Sequence, residues 1–167
     1  MHKKIWLITN KEEVPVLRKP TKPFDFSTRT RGELRELLKM MRLEMKKANG
    51  VGLSANQIGL SERFFVAEVP DSQGKPKFYA IFNPEIIKTS KGKTETIEEG
   101  CLSVPEVWGP VKRFSEVTLV GQDAAGRKVK IKAWGLLARV FQHEVDHLDG
   151  KLFIDHATST RKITKKQ

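Results

Sequence analysis

The sequence predicts an α+β domain, and three observations carry that prediction. Apolar residues recur at helical spacing early in the chain, alternate with polar residues through the middle, and return to helical spacing near the end. The order helix, antiparallel strands, helix is that of an α+β fold rather than of repeated βαβ units. At 167 residues the chain is expected to form one domain over 1–167, large enough for a core without disulfides.

Segment 1–29 holds Pro15, Pro20 and Pro23 and reads as an extended lead-in. Thr30-Arg31-Gly32-Glu33 then fits a capping box, in which Thr30 and Glu33 satisfy orphan backbone donors. Behind it Leu34, Leu37, Leu38, Met41, Met45 and Ala48 recur at helical spacing, with Arg35, Lys39, Arg42 and Lys46 between them, and Asn49-Gly50 supplies the stop. Residues 63–69 and 77–82 are strand-like, separated by Asp71-Ser72-Gln73-Gly74. Residues 116–120 and 128–132 alternate apolar with polar, and Asp123-Ala124-Ala125-Gly126 between them reads as a hairpin turn. A second helix is expected from about Leu136 to Leu148, ending at Gly150.

Composition narrows the class. With 38% hydrophobic and 31% charged residues, and no apolar run near the roughly 20 residues that cross a bilayer, no membrane partner is expected. The apolar patch behind Met1-His2-Lys3-Lys4 is too short for a signal-peptide core, and the single cysteine, Cys101, has no intrachain partner to oxidise with. A cytoplasmic location follows as an expectation. The net charge of +11 suits ribosome or RNA contact through a basic surface, or is simply solvated. Its one cluster is Arg161, Lys162, Lys165 and Lys166.

The chemistry is carried by His143-Glu144-Val145-Asp146-His147. On a helix, residues i and i+4 share a face, so His143 and His147 can grip one metal ion, with Glu144 placed to exchange a proton with a bound water. Leu137, Phe141, Val145 and Leu148 form a core stripe, whereas Leu136 and Val140 lie along the histidine face. Either an apolar pocket adjoins the ion or the helix is buried all round.

Two imidazoles need a third ligand. Phe153 stands where a metzincin has its last histidine, and no carboxylate follows Asp155; His156 does follow, as a weak candidate. Cys101, in Glu99-Gly100-Cys101-Leu102-Ser103, is the better donor, because a thiolate and two imidazoles leave a fourth tetrahedral position for water. Gly50-Val51-Gly52-Leu53-Ser54-Ala55-Asn56-Gln57 is a glycine-rich turn that ends in a carboxamide.

Together the segments GxGLSANQ, EGCLS and QHEVDHL, in this order, resemble the peptide deformylase family in its bacterial form. The resemblance extends over most of the chain, including 16–19 and 135–139. It implies antiparallel β-sheets packed around a central C-terminal metal-binding helix, with an N-terminal helix. It implies removal of the formyl group from N-terminal N-formylmethionine of nascent polypeptides, with release of formate. Cys101, His143 and His147 would hold one divalent ion, Fe2+ expected and Zn2+, Ni2+ or Co2+ also able to fit. Glu144 would be the general acid/base, and Gln57 with the backbone N–H of Leu102 would stabilise the oxyanion. Val51, Gly52, Ile97, Leu136 and Val140 would bind substrate. Glu99 and Arg113 would orient a ligating histidine, unless they form an ordinary surface ion pair. Ser54 stands where the family pattern has alanine, a small change expected to leave the backbone path unaltered. Little chain follows the metal helix, so the long C-terminal helix that relatives use for ribosome docking is not expected, and the basic tail is the surface left to meet RNA phosphates. Two alternatives stay open: an HExxH-type metallopeptidase, and a non-catalytic, basic, ribosome- or RNA-associated protein with a vestigial metal site.

Overall fold

The computed structural model describes residues 4–163. The chain folds as the α+β arrangement the sequence predicts, with three α-helices and eight strands among the described residues. The lead-in is not wholly extended. One α-helical turn, α1 (Val14–Leu17), forms with Pro15 in its first turn, where a missing N–H costs nothing. The predicted capping box is present at α2 (Arg31–Lys47): the Thr30 side chain accepts from Glu33 N–H, and the Glu33 carboxylate accepts from Thr30 N–H. The helix ends at Asn49, which takes a left-handed φ of 55°.

A five-stranded antiparallel sheet follows in the spatial order β1 (Gly52–Ser54), β2 (Phe64–Pro70), β3 (Pro76–Thr89), β6 (Glu116–Gln122), β7 (Lys128–Trp134). Strand β2 is apolar on both faces because both are covered. Phe64 and Val66 pack with Leu34, Leu38, Met41 and Met45 of α2, while Phe65, Ala67 and Val69 pack against α3 (Gly135–Leu148). The expected stripe Phe141, Val145 and Leu148 lies in that second layer, with the half-buried Leu137 beside it.

A second, three-stranded sheet contains β4 (Thr94–Cys101), β5 (Val104–Phe114) and β8 (Arg161–Lys162). The sequence pattern did not announce β4 or β5. Glu95, Thr96, Ile97 and Glu98 are all exposed, so β4 shows no alternation, and Pro105, Gly109 and Pro110 interrupt β5. The hairpin register is continuous from Thr94↔Phe114 to Gly100↔Trp108, then jumps to Cys101↔Val104. Residues 105–107 bulge out, with Glu106 at φ 62°. A bulge of this kind re-aims the neighbouring side chain, and here the neighbour is Cys101.

Helix α3 lies between the two sheets and is stitched to the smaller one by buried polar side chains. Gln142 accepts from Phe114 N–H and donates to Phe114 O, and Arg139 donates to Val111 O and Glu95 O. The helix stops at Gly150, φ 75°, where a Cβ would lie 2.7 Å from the carbonyl carbon of Arg18.

Phe141 is fully buried, its ring centroid 5.7 Å from Phe65 and 5.6 Å from Tyr79. Phe141→Ala is expected to lower the unfolding free energy by about 3–5 kcal/mol, read from urea denaturation. Leu43→Ala, on the solvent side of α2, is the control and should change it by less than about 0.5 kcal/mol.

Candidate metal centre and catalytic pocket

Three donors from two chain segments meet beside the C-terminal half of α3. His143 and His147 project from that helix one turn apart, their Nε2 atoms 3.1 Å from each other. Cys101 arrives from the β4–β5 hairpin, its Sγ 3.1 Å from His147 Nε2. All three donor atoms lie within 4.8 Å of one another. His156 is not in the group; its Nε2 lies 3.2 Å from Asp146 Oδ2.

The donors suit a cation. Glu99 is buried, and its two oxygens take four partners: Oε1 accepts from Arg113 Nε (2.9 Å) and Arg139 Nη1 (2.8 Å), while Oε2 faces Arg113 Nη2 (3.0 Å) and His143 Nδ1 (2.9 Å). Burial works against the carboxylate, but His143 and Arg113 outweigh it and hold its pKa at about 2. Such a group only accepts, so a proton sits on His143 Nδ1 and Nε2 is the nitrogen turned toward the centre. Burial also opposes charge on His143, yet the Cys101 sulfur and Glu99 push its pKa to about 10: this position attracts positive charge. Burial, with His143 and Arg113, holds His147 well below 6.5, so it offers a neutral ring. A soft sulfur and two imidazoles are a ligand set for a transition-metal ion.

Beside these donors is a cavity of about 610 Å³ lined by Val51, Gly52, Gln57, Leu102, Leu136, Val140 and Glu144 among others. Glu144 is buried, and burial raises its pKa, opposed by His143 and by a hydrogen bond from Ser54. Gly52 approaches it so closely that a Cβ would lie 2.7 Å from the Glu144 carboxyl carbon and nearer still to Oε1. The Gln57 carboxamide comes from a short 3-10 turn, Ala55–Ile58. Its oxygen accepts from Ser54 N–H at 2.9 Å, which turns the NH2 group toward Ser103 Oγ (3.0 Å) and Cys101 Sγ (3.6 Å).

The expected residues therefore converge, with one exception. Ile97 is half-exposed on β4 and does not line this cavity. Glu99 and Arg113 are not a surface ion pair: both are buried, and Arg113 also donates to Asp146 at 2.5 Å. Leu136 and Val140 line the cavity, which decides between pocket and plain core. Sequence reasoning missed Ser54, Ser103, Arg139 and Asp146 as parts of the site. Arg139, four residues before His143 on an otherwise apolar face, was the one readable signal.

A sulfur–bis-imidazole donor set beside a buried glutamate and a largely apolar cavity defines a metallohydrolase-type site. The polypeptide deformylase family model matches residues 5–163. A peptide deformylase from Symbiobacterium thermophilum is 44% identical over 155 residues, covering 93% of this chain and 68% of its own length. One from Halothermothrix orenii is 47% identical over 141 residues, 84% of this chain and 86% of its own. The crystal structure of Thermotoga maritima peptide deformylase superposes with a TM-score of 0.80 at 38% identity, over 95% of this chain and 99% of that one. The chain belongs to the peptide deformylase family.

The Glu99 network generates a pH-dependent prediction. Its folded pKa of about 2 lies below the ordinary 4.5, so the stabilisation is complete above 4.5 and is lost as pH falls toward 2. Glu99→Gln should flatten that part of the stability–pH curve. It should also cost about 3–5 kcal/mol at neutral pH, the scale for breaking a buried ion pair from one side, read from denaturant unfolding across pH 2–7.

Proposed function

We propose that this chain hydrolyses the formamide of N-terminal N-formylmethionine on nascent peptides, releasing formate and a free amine. The observation that carries this reading is one cavity lined by two of three clustered metal donors, Cys101 and His143, together with a buried carboxylate, a carboxamide and an apolar wall, with the third donor, His147, buried beside them. A divalent ion bound by Cys101, His143 and His147 would acidify a coordinated water and polarise the formyl oxygen. Ferrous iron is the ion we infer, one per chain, with Zn2+, Ni2+ or Co2+ fitting the same donors.

The chain's own groups do the rest. Glu144 removes a proton from the attacking water as the new C–O bond forms. It then delivers a proton to the amine nitrogen as the C–N bond breaks. Negative charge gathers meanwhile on the formyl oxygen. The Gln57 NH2 and the Leu102 backbone N–H are the donors we assign to it, and one such donor typically contributes about 2.7–4 kcal/mol. Val51, Leu136 and Val140 receive the methionine side chain, and Gly52 leaves room for the catalytic carboxylate. A peptide deformylase from Acinetobacter baumannii, 29% identical with a TM-score of 0.83, has a crystal structure with Met-Ala-Ser bound, in keeping with a methionyl peptide as ligand. A peptidase acting within chains would need an extended cleft, and a non-catalytic protein would have no use for Glu144 and Gln57; the matched relatives support neither alternative.

Anaerobically purified protein should release formate from formyl-Met-Ala. Glu144→Gln should keep its metal and lose at least about 100-fold in kcat, while an equal rate in the two proteins would exclude Glu144 as the acid/base.

We also infer that the protein acts in the cytoplasm at the ribosome; among the described residues no helix is long and apolar enough to cross a membrane. In the basic tail Arg161 is paired with Glu98 (2.6 Å), Lys162 is exposed, and Lys165 and Lys166 lie outside the described residues. A second basic row is on β7: Lys128, Lys130 and Lys132 alternate along its exposed face and, among the described residues, none is ion-paired. That row suits an RNA backbone. Ribosome affinity should fall steeply with salt and fall again when all three become Gln; affinity indifferent to both would leave the lysines as protection of a sheet edge.

A further inference from the structure

We propose that Ser54 is a positioning residue for the Glu144 carboxylate, holding one oxygen and leaving the other free to carry the proton. The proposal rests on the deformylase reading of Glu144 given above. Ser54 ends β1 and is fully buried. Its Oγ lies 2.6 Å from Glu144 Oε2 and 3.1 Å from the Glu144 backbone oxygen. A hydroxyl has one proton to give. The shorter distance is that of a charge-assisted O–H···O⁻ bond, whereas the longer one lies beyond the usual O–H···O range. The carboxylate oxygen Oε2 is therefore the acceptor.

The other oxygen is treated in the opposite way. Oε1 faces Gly52, where the absence of a side chain is what makes space for it. Gly52 and Ser54 are two apart on one strand and so project to the same face, while Leu53 between them belongs to the core beneath α2. One short strand thus presents Glu144 with a donor on one side and a vacancy on the other. The terminal torsion of a glutamate is broad and roughly two-fold. Without the hydroxyl no hydrogen bond from β1 selects Oε2, and the proton-carrying oxygen is less firmly fixed. The same residue also fixes Gln57 through its backbone N–H, a bond that any Ser54 variant retains, so the hydroxyl can be tested alone.

Ser54→Ala should lower kcat for formyl-Met-Ala about tenfold, the scale of one hydrogen bond to a charged group, with KM, metal content and melting temperature unchanged. In a Glu144→Gln background, where no carboxylate remains to orient, the same substitution should alter the residual rate less than about twofold. An unchanged kcat in Ser54→Ala overturns the proposal. So does a loss accompanied by lower metal content or melting temperature, or an equal loss in both backgrounds, since each assigns the residue to packing. If the wild-type protein itself releases no formate, it is the deformylase reading that fails.

Discussion

The constraint on which the site depends is the burial of Glu99. A carboxylate in that position is stable only with its acceptor sites used, and three partners come from two elements: Arg113 on β5, and Arg139 and His143 on α3. Satisfying one charge therefore fixes the small sheet against the helix. It also fixes which nitrogen of His143 faces the centre. Cys101 follows two residues after Glu99 on the same strand, so the group that orients one ligand also anchors the segment carrying another.

The second requirement is space. The two sheets hold α3 between them, with one face pressed on the larger sheet through Phe141, Val145 and Leu148 and the other lined by polar groups, of which Arg139 and Gln142 are hydrogen-bonded to the smaller sheet while, among the described residues, His147 Nδ1 is buried without a partner. Between these layers, the approach of β1 at Gly52 and the hairpin tip at Leu102 leaves a cavity instead of a core. Each wall is supplied by a different stretch of chain, so the chemistry depends on tertiary packing even though the histidine pair is local.

Much of this was legible in the sequence because it is periodic or local. The α2 cap, the α3 stripe and the 123–126 turn are short-range features set by backbone hydrogen bonding, and His143 with His147 is a spacing. Strand β4 was not legible, because its outer residues face solvent and its stability comes from pairing with β5, not from a buried stripe. Ile97 illustrates the same point: an apolar residue there is exposed, not part of the pocket wall. Ser54 looked like a neutral exchange for alanine when judged by size. Its meaning lies in a hydroxyl aimed at a residue 90 positions later, and no local pattern encodes that encounter. Asp146 was hidden for the same reason.

The bulge at 105–107 has a thermodynamic consequence. Two of the three donors ride on a stiff helix, and the third sits at the tip of a hairpin whose last pair, Cys101↔Val104, is separated from the rest of its ladder. Fraying of that last pair would carry the sulfur away from the imidazoles. By linkage, an ion that prefers the closed tip must tighten it, and anything that loosens the tip must release the ion. Ion retention and local hairpin order are then two readings of one equilibrium.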